Sequence, residues 1–269
     1  MRERSAGRVG ARADARTAVA WALVGLLVLS QMVYPLVEGE TRRVLTIATV
    51  CLGFAAATTH AALTRGARTA LVLVLVTAGG GLLVEAVGTA TGWPFGTYAY
   101  TGSLGPSVFT VPWIIPLAWT MMAWPAWLAA GWLVAGRFPR LVVAGWALAS
   151  WDLFLDPQMV DAGHWAWTGG GPALPGVPGI PVTNYAGWLF VGLVMMALLA
   201  AVVPAGSPDS GDRPMLVVYL WTYASSVLAH AVFFDLPASA AWGGLAMGLV
   251  AVPLAVALWR RPAVNAGVP

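Results

Sequence analysis

Three acids in this sequence stand where acids are expensive. Glu85, Asp152 and Asp156 lie within long apolar runs. An aspartate at the centre of a membrane-spanning helix costs about 2.5–3.5 kcal/mol on insertion scales, and less toward the ends. Acids kept at such positions are functional by default. Two carboxylates buried side by side do not both ionise, so one keeps a proton while the other stays charged. Such a pair can donate a proton to an alkene and position a water as base. The plainer alternative is that the acids lie near the interface, solvated, or cap loop amides. For Asp156, the Asp156-Pro157 step could simply end a helix.

Aromatic loops follow both groups of acids. TGWPFGTYAYTGSLGPSVFT comes after Glu85, and DAGHWAWTGGGPALPGVPGIPVTN comes after Asp152 and Asp156. Tyr98-Ala99-Tyr100-Thr101-Gly102 matches Trp165-Ala166-Trp167-Thr168-Gly169 at an offset of 67, and the same offset carries Glu85 onto Asp152. The register then drifts by about two residues at Pro112 and Pro181. A parallel repeat implies a pseudo-twofold axis along the membrane normal. If the acids face inward, Glu85 and Asp152 meet across that axis, with Asp156 one turn beyond Asp152 on the same helical face. Gln31, Tyr34, Asn184, Tyr185, His230 and Asp235 gather at the same membrane face, and His230 or His164 could join the site. Indole and phenol faces would stabilise a cation on carbon. Acid-catalysed hydration or cyclisation of a long apolar isoprenoid drawn from the bilayer fits these parts. Ion or proton transport fits the acids but explains the aromatic loops less well. Taken alone, the loops also suit interfacial caps that close a bundle.

The elements that must position these groups are transmembrane helices. Of 269 residues, 59% are hydrophobic and 9% charged, against about 25% charged in a soluble domain. The expected fold is therefore all-α, a polytopic helical membrane bundle of about eight spans, with seven as the alternative count. The expected spans are Thr17 to Val37, Val44 to Thr64, Thr69 to Thr89, Val111 to Gly136, Leu141 to Val160, Tyr185 to Ala205, Pro214 to Phe234 and Ser239 to Trp259. Each is near the roughly 20 residues that cross a bilayer core. The first is longer than the apolar core of a signal peptide and lacks a small-residue cleavage site. Residues 1–16 read as a disordered Arg-rich tail, 17–261 as one transmembrane domain with repeat units near 69–136 and 141–205, and 262–269 as a short C-terminal tail.

All fourteen basic residues are arginines. Arg65 and Arg68, Arg137 and Arg140, Arg213, and Arg260 and Arg261 alternate with loops free of basic residues. That pattern places both termini in the cytoplasm of a multi-pass plasma-membrane protein and both aromatic loops outside. Arg42 and Arg43, beside Glu38 and Glu40, break it once. The arginines form no folded basic patch, so nucleic acid is not an expected partner. The single cysteine, Cys51, excludes an internal disulfide and a Cys-based metal cluster. The three histidines are scattered without metal-ligand spacing, and His60 reads as structural. GTATG lacks the spacing of a dinucleotide site, and there is no phosphate-binding Gly-Lys motif or Ser-centred nucleophile elbow. No cofactor is expected.

Two sets of motifs carry a family resemblance. One is Glu85-x-x-Gly88, Gly92-Trp93-Pro94-Phe95-Gly96-x-Tyr98-x-Tyr100, Leu104-Gly105 and Val111-Pro112. The other is Asp152-x-x-x-Asp156-Pro157, Trp165-x-Trp167, Gly179-Ile180-Pro181-x-x-Asn184 and Gly187-Trp188. Over roughly Thr69 to Trp188 the chain resembles the carotenoid biosynthesis family of membrane hydratases. The resemblance implies addition of water across the terminal 1,2 double bond of an acyclic carotenoid end group, giving a tertiary alcohol. Glu85, Asp152 and Asp156 would be catalytic. Trp93, Phe95, Tyr98, Tyr100 and Trp113 would contact the substrate, together with Trp165, Trp167, Asn184, Trp188 and His230. Water is the second reactant, and other membrane enzymes of the pathway are candidate partners. A lycopene-cyclase-like isomerase and a carotenoid carrier without chemistry are the two alternatives.

Overall fold

Eight helices of membrane-crossing length follow one another among the described residues. The structure, a computed structural model, describes residues 2–203 and 208–260, with side chains from Ala18 onward. The helices are α1 (Arg2–Val33), α2 (Gly39–Arg65), α3 (Ala67–Thr91), α4 (Ile115–Leu133), α5 (Arg137–Asp161), α6 (Val182–Val202), α7 (Arg213–Val232) and α8 (Pro237–Arg260). Between them lie four short strands: β1 (Tyr98–Tyr100), β2 (Ser107–Val108), β3 (Val111–Pro112) and β4 (Trp165–Trp167). The chain is a multi-pass membrane protein. The backbone of α1 runs back to Arg2, through the segment expected to be irregular; its many alanines and arginines favour a helix. The apolar part begins at Ala18. The expected C-terminal tail, 262–269, lies outside the described residues.

Seven of the helices are long and apolar enough to cross a membrane by composition. The eighth, α4, is less hydropathic because it is rich in Trp and Pro, and it has no need of lipid solubility. It packs against α2, α3, α5, α7 and α8, and nearly all of its length is buried, with Trp119, Trp124 and Trp127 fully so. It begins at Ile115 rather than Val111, because Val111 and Pro112 pair with Ser107 and Val108 in a hairpin. Large apolar side chains such as Leu71, Leu83, Leu245 and Leu249 point outward.

Lipid supplies no hydrophobic drive between helices, so they associate by close packing over small residues. A Cβ on Gly192 would lie 3.0 Å from the Gly145 carbonyl oxygen, where α5 and α6 cross. A Cβ on Gly81 would lie 2.6 Å from the Trp119 ring. Gly81→Val therefore displaces Trp119 and lowers stability by about 1–3 kcal/mol, measurable as a lower thermal midpoint of the protein in detergent.

Two helices are interrupted. A π turn at Leu75–Gly79 lies within α3, a feature that recurs at functional sites. Its Thr77 hydroxyl meets that of Thr120 on α4 at 2.7 Å. In α5, regular helix stops at Ala149 and resumes at Asp152.

The two aromatic loops are joined by an antiparallel ladder. Tyr98 faces Trp167, Ala99 faces Ala166 and Tyr100 faces Trp165. The flanking bonds are Thr101 N–H to His164 O at 3.0 Å and Thr168 N–H to Thr97 O at 2.8 Å. A local twofold axis between Ala99 and Ala166 exchanges these partners. It exchanges Thr97 with His164 and Thr101 with Thr168, the same 67-residue offset that relates the loops.

At the opposite end, Trp124 Nε1 donates to His60 Nδ1 at 3.0 Å. His60 Nε2 therefore carries the hydrogen that reaches Gly211 O at 2.8 Å. Beside it, Arg65 pairs with Asp212 at 2.6 Å. His60 is a structural clamp.

Candidate active site

Strand alternation places Tyr98 and Tyr100 on one face of β1 and Trp165 and Trp167 on one face of β4. Cross-strand contacts then pair Tyr98 with Trp167 at 5.5 Å between centroids and Tyr100 with Trp165 at 5.6 Å. Both alanines between them face outward. The ladder is a platform of four rings turned toward the helix bundle; the polar tips of Tyr98, Tyr100 and Trp165 reach the acids, whereas Trp167 Nε1 donates to Phe95 O at 2.9 Å.

Glu85 sits on α3 above the π turn, 4% exposed. Its Oε2 accepts from Tyr98 Oη at 2.5 Å and from Tyr100 Oη at 2.8 Å. Its Oε1 accepts from Trp119 Nε1 at 3.2 Å. Gly88 leaves room for this arrangement, since a Cβ there would lie 2.7 Å from the Tyr98 oxygen. Burial, and then the neighbouring Glu85 charge, pushes both phenols well above their ordinary pKa. They stay protonated and remain donors. Three donors converging on one carboxylate suit its ionised form.

Asp152 and Asp156, one turn apart on α5, are buried and share one partner. Asn184, at the start of α6, donates through Nδ2 to Asp152 Oδ2 at 2.8 Å and also to Asp156 Oδ2. Trp165 Nε1 donates to Asp156 Oδ1 at 3.1 Å. Asp152 Oδ1 is buried with no hydrogen-bond partner among the described residues. The two aspartates are close enough to act on each other directly. In contrast to Glu85, this pair has too few donors for two charges, and a shared proton satisfies it.

Both groups open onto one cavity. The acids on its wall are Glu85 and Asp156, not the pair Glu85 and Asp152 that the repeat singles out. Asp152, the first residue of the helical segment after the break in α5, is fully buried and does not line the cavity. The aromatic wall includes Phe95, Tyr98, Tyr100, Trp165, Trp167 and Trp188, and Asn184 lines the cavity too.

Three of the expected contact residues stand apart. Trp93 and Trp113 are 58% and 38% exposed and lie outside the cavity lining. Trp93 packs edge-on against Phe190 instead. His230 is fully buried beside the cavity, between Gln158 Oε1 at 3.3 Å and Ser239 Oγ at 2.9 Å. His164 is held by Ser103 at 2.7 Å, within the loop pair. His230→Ala should leave turnover in place and cost about 1–3 kcal/mol of stability, the penalty for stranding buried polar partners; paired melting and turnover assays check this.

Trp119 and Trp151 are cavity residues that sequence reasoning missed. Trp119 stacks on Trp188 with centroids 3.9 Å apart and planes 12° from parallel. The two are 69 residues apart, the loop offset of 67 plus the drift of two. That drift was the available signal. Among the described residues, no group of three or more His, Cys, Asp and Glu is placed to hold a metal ion.

A family model described as carotenoid biosynthesis protein matches residues 45–232. The chain belongs to that family. The family region contains all three acids, the paired loops and helices α3 to α7, leaving α1 and α8 outside it. Bisanhydrobacterioruberin hydratase of Haloarcula japonica is 34% identical over 120 residues, which is 43% of this chain and 39% of that protein. The match thus spans about two fifths of that relative's length. No solved structure matches.

Proposed function

We propose that this family member is a carotenoid hydratase, adding water across the terminal 1,2 double bond of an acyclic carotenoid end group without a redox cofactor. The observation that carries the reading is the contrast between the two acid groups on one aromatic cavity. Glu85 receives three donors, whereas Asp152 and Asp156 share one amide and one indole. The relative's name, a hydratase of a carotenoid, supports the same chemistry.

The aspartate pair delivers its proton to C2 of the end group through Asp156, its cavity-facing member. Positive charge develops at the tertiary carbon C1, beside the stacked Trp119 and Trp188 and opposite the Glu85 carboxylate. Ring faces attract such a cation, and a prearranged anion in a dry site offsets it further. Glu85 orients water toward C1. When the carbon–oxygen bond forms, the proton lost from that water returns to the aspartate pair, and the tertiary alcohol leaves. Tyr98→Phe or Tyr100→Phe removes one donor from Glu85 and should slow turnover about 10- to 100-fold, read as initial rates in membranes.

The substrate enters from the bilayer, and the arginine pattern supports a site near the non-cytoplasmic face of a plasma-membrane protein. The hydrophobic product makes other membrane enzymes of the pathway natural partners. Expression in an acyclic-carotenoid-producing bacterium tests the reading. Pigment heavier by one water per reacted end supports it. A new ring at unchanged mass means a cyclase, and pigment untouched across a panel of acyclic carotenoids means a carrier.

A further inference from the structure

The cavity has a second wall that an apolar polyene does not need. Besides the aromatic residues, Gln31 of α1, Thr46 and Thr49 of α2, and Thr222, Ser225 and Ser226 of α7 all line it. The outward faces of α1 and α7 remain apolar, with Leu26 52%, Leu29 59% and Leu228 57% exposed. Polar groups on membrane helices are costly and face interior cavities or water. Three separate helices therefore place theirs toward the same space. Gln31 Oε1 is buried with no hydrogen-bond partner among the described residues.

The wall also runs in the right direction. Tyr34, Pro35 and Phe234 lie at its outer end, beside the Arg42 guanidinium, which sits 5.9 Å from the Tyr34 ring and 5.6 Å from the Phe234 ring. Arg42 marks an end where water can solvate a charge. Thr49 and Thr222 are each about ten residues inside their helices, ~15 Å along the axis at 1.5 Å per residue. Asp152 is at a similar depth in α5, and Glu85 is shallower in α3. The hydroxyl row thus spans from the mouth to the level of the acids.

We infer that this wall is the route by which water reaches the cation, so that Thr49, Thr222, Ser225 and Ser226 position the second reactant while the aromatic wall holds the polyene. The inference rests on the hydratase reading. Without delivered water, the cation at C1 returns a proton from C2 and regenerates the alkene. Protonation then continues without net hydration.

Two measurements on the full chain test it. In a Cys51→Ala background, Thr49→Cys and Ser226→Cys should react with a sulfonate-bearing methanethiosulfonate, which needs a water-exposed thiolate. Leu249→Cys, on a side chain 68% exposed to the lipid side, should not. In deuterated buffer with lycopene-containing membranes, Thr49→Val with Ser226→Ala should lower hydration about tenfold, the scale of a lost hydrogen bond to a positioned water. Deuterium should still enter recovered substrate at C2. Cysteines that stay unlabelled, or hydration that is unchanged in the double variant, overturn the route alone. A wild type that hydrates nothing overturns the hydratase reading, and the route with it.

Discussion

Asp156→Asn should lower hydration by about 10²–10⁴-fold, the range for loss of a positioned general acid, while the protein still inserts and folds. Asparagine keeps the shape of the side chain and can still accept from Trp165 Nε1, which donates to Asp156 Oδ1, but its NH₂ then faces the Asn184 Nδ2 donor, so about 1–3 kcal/mol of stability should be lost as well. What it lacks is a transferable proton at the cavity wall. Asp152→Asn should be nearly as damaging, because the proton belongs to the pair rather than to either carboxyl. The double amide variant should show no more loss than the worse single one, since residues acting as a unit are not additive. Rates from membranes at matched protein amount check this. An active double variant removes the aspartates from the mechanism.

Glu85→Gln should be the second large effect, and it should differ in kind. The amide must turn its NH₂ toward either the two phenols or the Trp119 indole, all of which donate. Stability should fall by about 1–3 kcal/mol through the mismatched buried groups, and turnover by about 10²–10³-fold through loss of the counter-charge. Unchanged turnover in Glu85→Gln at matched protein amount, with only the thermal midpoint in detergent lowered, would make Glu85 a structural residue.

Much of the scaffold was legible because lipid imposes a strong rule: apolar runs of about 20 residues, closed on their own backbone hydrogen bonds. The acids were visible for the same reason, as charges in the wrong solvent. The similar loops were visible as a five-residue match, and the ladder pairs those segments with Ala99 opposite Ala166. Other features were hidden by facing and register. Trp119 escaped notice because a two-residue drift obscures its relation to Trp188. The hydroxyls of α2 and α7 escaped because their direction depends on how uniformly apolar helices rotate against each other. Trp93 and Trp113 had the right residue type and motif, but turn away from the cavity. His230 is a buried histidine near the site that meets Gln158 and Ser239 and lies outside the cavity lining, a placement its residue type did not reveal.

The most direct test of the hydratase account is the origin of the new oxygen. Membranes containing the full chain and an acyclic carotenoid are incubated in oxygen-18 water under air, and the pigment is resolved by mass. The account predicts a tertiary alcohol carrying the heavy isotope, lost in Asp156→Asn. A hydroxyl bearing ordinary oxygen, drawn from air, or an isomer that gains no oxygen, would contradict it.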